Sequence, residues 1–404
     1  MVIASGLQRS EAGPVPRDWD VVALGDHVRI TSGASPSLFR FETSGVPYFK
    51  VEQLNSSEKY LDAASTPYHF SKGATVSANS VVFAKRGAAI ALNKVRILSE
   101  ASYMDTNLMA LTPTGNLNCE YLYYALAHIG LWRFADTTSV PQINNKHVKP
   151  LAFPLPGRDE QRAIAGALSD VDALLGALDR LIAKKHDLKQ AAMQQLLTGQ
   201  TRLPGFHGEW EIASLQQLVI RATGYWGARE PDADRPTSAE IIRAGDISPD
   251  GVLTSTASRF LSDAEFAQAR CHLDDIVITT SGNGLGKVWW CDGRPNVAAS
   301  NFVRVLRPVK SRALGKFLSY VLRSDKALRQ LQEHTATSAY PNLRPTFFSS
   351  TWIDLPPLQE QAAIAEVLSD MDADLDLLNR RRHKTRDLKQ AMMQELLTGR
   401  TRLV

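Results

Sequence analysis

Apolar residues between positions 164 and 182 recur at steps of four and three: Ile164, Leu168, Val171, Leu175, Leu178 and Ile182. This is a heptad stripe, which lies along one side of a helix and seats in the grooves of a partner helix. The stripe returns at Ile364, Leu368, Met371, Leu375 and Leu378, with Arg382 in the place of Ile182. After a change of phase, Leu188, Ala192 and Leu196 continue an apolar face, as do Leu388, Met392 and Leu396. Pro156 precedes the first stripe, and Pro356 and Pro357 the second; proline is tolerated there because the first amide donors of a helix have no partner. Thr198-Gly199 and Thr398-Gly399 follow, where glycine accepts the left-handed conformation that ends a helix. The pattern predicts helices over 156–200 and 356–400, each about 60 Å long at 1.5 Å per residue.

The two stripes belong to one duplicated segment. Residues 160–203 and 360–403 align without a gap, and 28 of 44 positions are identical. A long helix with one apolar face needs tertiary packing for its stability. Two helices of matching register in one chain are natural partners along a shared seam, and the connecting chain is long enough for either parallel or antiparallel pairing. Oligomerisation between chains would use the same stripe. Arg380, Arg381, Arg382, Lys384, Arg386 and Lys389 make the tail of the second helix the more basic one, either as a solvated face or as a contact for DNA or a partner subunit.

The bodies preceding these helices, 14–150 and 204–355, repeat each other only faintly. Trp19 and Trp210 each stand before a short apolar stretch and a leucine. The runs 45–55 and 239–250, 81–91 and 276–290, and 105–113 and 298–308 are parallel in character. Residues 121–130 and 317–331 both read as helical. Short β-branched runs between glycine, proline and asparagine turns predict a mixed α+β body in each copy. Heads that meet different ligand surfaces are free to diverge, whereas paired helices are not.

Composition narrows the function. The 404 residues carry a net charge of +4, compatible with a polyanionic partner without requiring one. Three cysteines, Cys119, Cys271 and Cys291, form no CxxC pair, which argues for a reducing compartment and against a disulfide framework or a zinc cluster. No signal peptide or membrane span is expected, so the chain is placed in the cytoplasm. The segment Ser281–Val288 ends in Gly286-Lys287 but lacks the first glycine and the final Ser or Thr of a phosphate-binding loop; a glycine-rich hairpin or a close approach to a backbone is expected there instead. The histidines are scattered, no HExxH or nucleophile elbow is present, and no catalytic or metal-binding residue is assigned.

The DLKQ and LLTG segments (187–199 and 387–399), the LP-x-x-x-EQ elements from Leu155 and Leu355, and the W-x-x-x-x-L starts at Trp19 and Trp210 cover essentially the whole chain. With them the sequence resembles a specificity subunit of a Type I restriction-modification system. The resemblance implies an α+β protein: two mixed α/β target recognition domains, 14–150 and 204–355, separated by two long helices packed as an antiparallel intramolecular coiled coil. It further implies a bipartite, asymmetric double-stranded DNA site, one part per domain, with the helices as a ruler for the spacer. The implied partners are two methyltransferase subunits, which use S-adenosylmethionine to modify adenine N6, and two restriction subunits using ATP and Mg2+; this chain would hold no cofactor and catalyse nothing.

Sequence reading by base edges calls for polar and basic side chains on loops. The expected DNA-binding residues are Lys50, Lys85, Arg86, Gln142, Asn144, Asn145 and Lys146 in the first domain. In the second they are Arg243, Ser281, Asn283, Lys287, Ser338, Tyr340, Asn342 and Arg344. Two other classes compete: a structural protein built on the heptad rods, and an enzyme with its activity in the divergent heads. Neither explains two different heads on nearly identical rods.

Overall fold

The computed structural model describes residues 7–10, 13–38, 40–70, 76–136, 140–282, 284–335 and 341–403. The chain forms two compact units, Met1–Asp179 with Arg380–Val404, and Arg180–Asn379. The division therefore falls inside both long helices, Arg158–Leu196 and Leu358–Leu396, rather than at their ends. Each unit contains half of each helix.

Among the described residues, unit 1 carries a five-stranded sheet in the order Val28–Ser32, Leu108–Pro113, Val81–Ala84, Val95–Leu98, Tyr60–Leu61. A three-stranded sheet has Val46–Phe49 in its centre, parallel to Tyr103–Met104 and antiparallel to His69–Phe70. Strand Asp20–Ala23 pairs with Ala152–Leu155 just before the first long helix. The helix Cys119–Ile129 packs its tyrosines into the core with Phe83, Phe153, Ile164, Leu168, Leu396 and Leu397.

Unit 2 repeats this plan. Its four-stranded sheet runs Val219–Thr223, Val303–Pro308, Ile276–Thr279, Val288–Trp290. Strand Thr237–Ile242 lies parallel to Val297–Ala299 and antiparallel to Ala257–Leu261, and Glu211–Ser214 pairs with Trp352–Leu355. The predicted helix 317–331 is two helices, Gly315–Leu322 and Asp325–Glu333, the second capped by the Ser324 hydroxyl. Strands Ile276–Thr279 and Val288–Trp290 pair antiparallel, the expected hairpin, with residues 280–282 and 284–287 between them described.

The duplicated segment makes reciprocal contacts. In unit 1, Glu160 at the start of the first helix is buried. It accepts from Trp19 Nε1 at 2.9 Å and from Arg402 Nη2 at 2.8 Å, and Arg402 also clasps Asp18 at 2.7 and 2.9 Å. In unit 2, the buried Glu360 accepts from Trp210 Nε1 at 3.1 Å and twice from Arg202 at 2.6 Å. The start of each copy is thus locked to the end of the other. The neighbouring Gln161 and Gln361, both fully buried, accept from the amides of Asn118 and Leu314 and donate to the carbonyls of Pro156 and Pro356. They tie each helix start to the helix of its own head.

Within each unit the helix halves run antiparallel. Asp172 pairs with Lys389 at 2.6 Å and Asp179 with Arg382 at 3.1 Å in unit 1; Asp374 pairs with Lys185 at 2.7 Å, and Asp372 with Lys189, in unit 2. In both units partner numbers fall as residue numbers rise. Tyr124 and Tyr320 donate to the same aspartates, Asp172 and Asp372, at 2.6 and 2.7 Å. The stripe residues Ile164, Leu168, Leu178, Ile182, Ile364, Leu368 and Leu375 are buried, with Val171, Leu175, Met371 and Leu378 partly so.

Of the continued apolar face, Leu196 and Leu396 are buried and Ala192 and Met392 pack against the cores, but they do so on an unbroken heptad, without the expected change of phase. Leu188 and Leu388 are about half exposed, at 49% and 54%. The heptad instead continues through Lys185 and Lys189 in one copy and Arg382, Thr385 and Lys389 in the other. A lysine can hold an inward position because its stem covers apolar surface while its head meets an aspartate. Each helix closes as expected, with Gly199 and Gly399 at φ +70° and +66°. No helix among the described residues is long and apolar enough to cross a membrane.

Candidate nucleic-acid interface

In each unit, several loops gather at one end of the strands. Gly33 and Gly224 start this arrangement. Each follows the edge strand of the larger sheet and lies against the backbone of the smaller one. A Cβ on Gly33 would sit 1.8 Å from the Asp105 carbonyl oxygen, and one on Gly224 would sit 2.2 Å from those of Ala299 and Ser300. Only glycine permits that approach. The next residues hydrogen-bond across it, Ala34 N to Met104 O and Tyr225 N to Ala299 O, both at 2.9 Å.

A second frame lies beside the first. In unit 1 the end of strand Val81–Ala84 is clipped to the segment Pro141–Ile143: Ile143 N donates to Lys85 O and Gly87 N to Pro141 O, both at 2.9 Å. In unit 2 Leu343 N donates to Thr280 O and Gly282 N to Pro341 O, again at 2.9 Å. Arg86 faces Gln142 across one bridge, and Ser281 faces Asn342 across the other. Identical backbone frames thus present different side chains: Lys85, Arg86 and Gln142 in one unit, Thr280, Ser281 and Asn342 in the other.

The remaining expected residues fall around these frames. Asn144, Asn145 and Lys146 are exposed on and before the short helix Asn145–Val148. Arg344 is exposed just beyond Asn342, and Lys287 is half-buried at the far side of the hairpin turn. Lys50 and Arg243 occupy equivalent places after the central strands of the smaller sheets, each at the N-cap of a 3-10 turn. Lys50 Nζ sits 3.5 Å above the Tyr68 ring. The Arg243 fork is closed on Asp246 at 2.7 and 2.8 Å, so its bidentate face is already in use. Asn283, Ser338 and Tyr340 lie outside the described residues.

Electrostatics distinguish the two ends. Burial, then the neighbouring Arg86, pushes the Lys85 ammonium below its usual range, against an opposing pull from Asp105. Asp105 beneath it is pushed up by burial, partly offset by the amides of Asn107 and Leu108. Burial raises the fully buried Tyr48 hydroxyl to about 12, and it donates to Ala34 O at 3.0 Å as a packing group. Unit 2 has neutral Thr280, Ser281 and Ser300 at the corresponding positions. No group of three or more His, Cys, Asp or Glu side chains able to hold a metal is found among the described residues.

The sequence reading passed over Trp226 and Phe302, which stand beside the unit 2 frames and remain 43% and 40% exposed. Large aromatics in unassigned loops read as core, and only the position of Trp226 two residues after Gly224 could have flagged it. It also left unpaired Arg202 and Arg402, whose repeated T-R-L context carried the signal.

Comparison with known proteins agrees with this architecture. The family model for the Type I restriction modification DNA specificity domain matches twice, over residues 16–185 and 208–385. The chain is 24% identical to the Type I restriction enzyme MjaVIII specificity subunit of Methanocaldococcus jannaschii, over 96% of this chain and 94% of that protein. Its fold is similar to that of the S subunit of a Type I restriction-modification system from M. genitalium, with a TM-score of 0.60 at 14% identity, covering 98% of each chain. A chain from a structural study of the assembly and conformational transition of the type I R-M system gives a TM-score of 0.55 at 16% identity, covering 95% of this chain and 99% of that one. With two divergent heads on duplicated antiparallel helices, and the family model matched across both, the chain belongs to the Type I restriction-modification DNA specificity family, as a specificity subunit serving DNA recognition.

Proposed function

We propose that this subunit reads a bipartite, asymmetric site in double-stranded DNA, one part with the loop end of each unit, and positions it for other subunits. The observation that carries this reading is the pair of matching backbone frames with unlike side chains, Arg86 and Gln142 against Ser281 and Asn342. One scaffold used twice with different donors and acceptors suits two different words of bases, since discrimination rests on base-edge contacts in the major groove. Lys85, Arg86, Lys146 and Arg344 supply phosphate contacts, and Gln142, Asn144, Asn145 and Asn342 supply amides able to pair with adenine edges. The long helices set the spacer between the two words.

Methylation of adenine N6 requires the base to leave the stack, and that step belongs to two methyltransferase subunits carrying S-adenosylmethionine. Cleavage belongs to two restriction subunits using ATP and Mg2+. Methylation mapping in a host carrying this chain and its methyltransferase tests the reading. A split adenine motif is expected, and exchange of residues 14–150 should rewrite one half of it. Rewriting of both halves together, or no motif at all, overturns it.

A further inference from the structure

We propose that Trp226 and Phe302 form an aromatic wedge that stacks against bases of the DNA word read by unit 2, an inference that rests on the DNA-recognition reading above. The two rings meet edge to face at 6.1 Å, and each leaves about two fifths of its surface in water. Arg259 lies over the Trp226 ring at 5.4 Å. The Phe302 carbonyl accepts from Thr280 N at 3.1 Å, so Phe302 is joined to the frame that carries Ser281 and Asn342. Trp226 follows the Gly224–Tyr225 crossing of the other frame. Arg304 Nη1 bonds the carbonyls of Asn301 and Val303 at 3.3 and 3.2 Å and holds the Phe302 loop in place.

The fold itself does not require these rings. The equivalent positions in unit 1 are Ser35, two residues after Gly33, and Asn107, whose carbonyl accepts from Lys85 N at 2.8 Å. The same backbone frames are built there with small polar side chains. An exposed aromatic pair with a guanidinium stacked on it suits the face of a base, which is apolar and meets arginine and aromatic rings alike. Continuity with Ser281 and Asn342 favours DNA over a protein partner as the occupant. Aromatic side chains that enter a duplex pry apart a base step and bend it. The consequence is an asymmetry at these two frame positions: rings stand there in unit 2, and Ser35 and Asn107 stand there in unit 1.

The test uses the full-length chain assembled with its methyltransferase subunits and a duplex bearing the mapped site, with 2-aminopurine placed in turn along both halves. Binding should raise fluorescence at one step in the unit 2 half, apart from any rise at the adenines extruded for methylation. Trp226→Ala should remove that rise and weaken binding about 5- to 150-fold, the range for losing one stacked base. The salt dependence should stay unchanged, because no phosphate contact is lost. Trp226→Ser with Phe302→Asn, which installs the side chains that unit 1 carries at these positions, should do the same, and Trp226→Phe should retain most of the signal. Selective binding by the wild-type complex with unchanged affinity or fluorescence in these variants overturns the wedge alone. Loss of subunit assembly with DNA fluorescence unchanged marks a protein-docking surface and overturns it as well. A wild-type complex without selective DNA binding removes both this inference and the reading beneath it.

Discussion

Replacing Arg402 with methionine should loosen unit 1 and leave unit 2 intact, although Arg402 lies in the copy of the repeat that follows the unit 2 head. The Arg402 side chain is 34% exposed and the Glu160 carboxylate it clasps only 4%; in the twin lock the values are 24% for Arg202 and 0% for Glu360. Removing one partner of a buried ion pair costs about 3–5 kcal/mol because the remaining charge is stranded. Arg402 is a third exposed, so water screens part of that loss and about 2–3 kcal/mol is expected. Arg202→Met should loosen unit 2 in the same way, around its own buried carboxylate Glu360. At 1.4 kcal/mol per tenfold, Arg402→Met should speed amide exchange by about 30- to 150-fold at sites that open with the lock. Hydrogen exchange read by mass spectrometry should show this around residues 19–24 and 160–164, with 210–215 and 360–364 unchanged. Arg402→Met combined with Glu160→Gln should cost less than the two single changes together, since no charge is then stranded. Faster exchange in unit 2, or equal exchange in both units, would refute the reciprocal lock.

Leu375 is buried and Leu175 only partly so. Leu375→Asn should therefore destabilise by about 2–4 kcal/mol and Leu175→Asn by about 1, as read by urea unfolding. Burial and the aspartates Asp172 and Asp372 raise the hydroxyls of Tyr124 and Tyr320. Their contribution is intact below the unfolded value of about 10 and is lost as pH rises toward the folded values. Stability measured from pH 8 to 11 should fall less steeply in the Tyr124→Phe/Tyr320→Phe chain, and an unchanged slope would contradict the assignment. Lys85→Ala and Arg86→Ala should each reduce the slope of log affinity against log salt by about 1. Gln142→Ala should relax only the DNA word read by unit 1, as methylation mapping would show.

Much of the fold could be read from the chain because the signals were periodic. The heptad positions Ile164 to Ile182 are inward as expected, and Gly199 and Gly399 close their helices with positive φ. The reading failed where a polar residue occupies a seam position. Lys189 and Lys389 face inward, whereas apolarity alone favours Leu188 and Leu388 for the stripe. Partner choice was also hidden. Arg202 and Arg402 sit in nearly identical words, and nothing local says that Glu160 takes the distant one. At the candidate interface, residue types such as Gln142 and Asn342 pointed to loops that the structure places on the two matching frames. The bridges that set them opposite Arg86 and Ser281 come from tertiary strand pairing, which no local pattern encodes.

Antiparallel register changes what the likeness of the two copies means. Asp172 answers to Lys389 and Asp372 to Lys189. The seam therefore asks that one copy complement the reverse of the other, and never that residue 172 equal residue 372. Each lock could drift as a pair without regard to its twin. Yet Asp187, Leu188, Gln190 and Gln194 recur as Asp387, Leu388, Gln390 and Gln394, and all eight point outward into exposed positions. Neither the seam nor the locks ask for that sameness; under the proposed function it would offer each of two methyltransferase subunits the same handle.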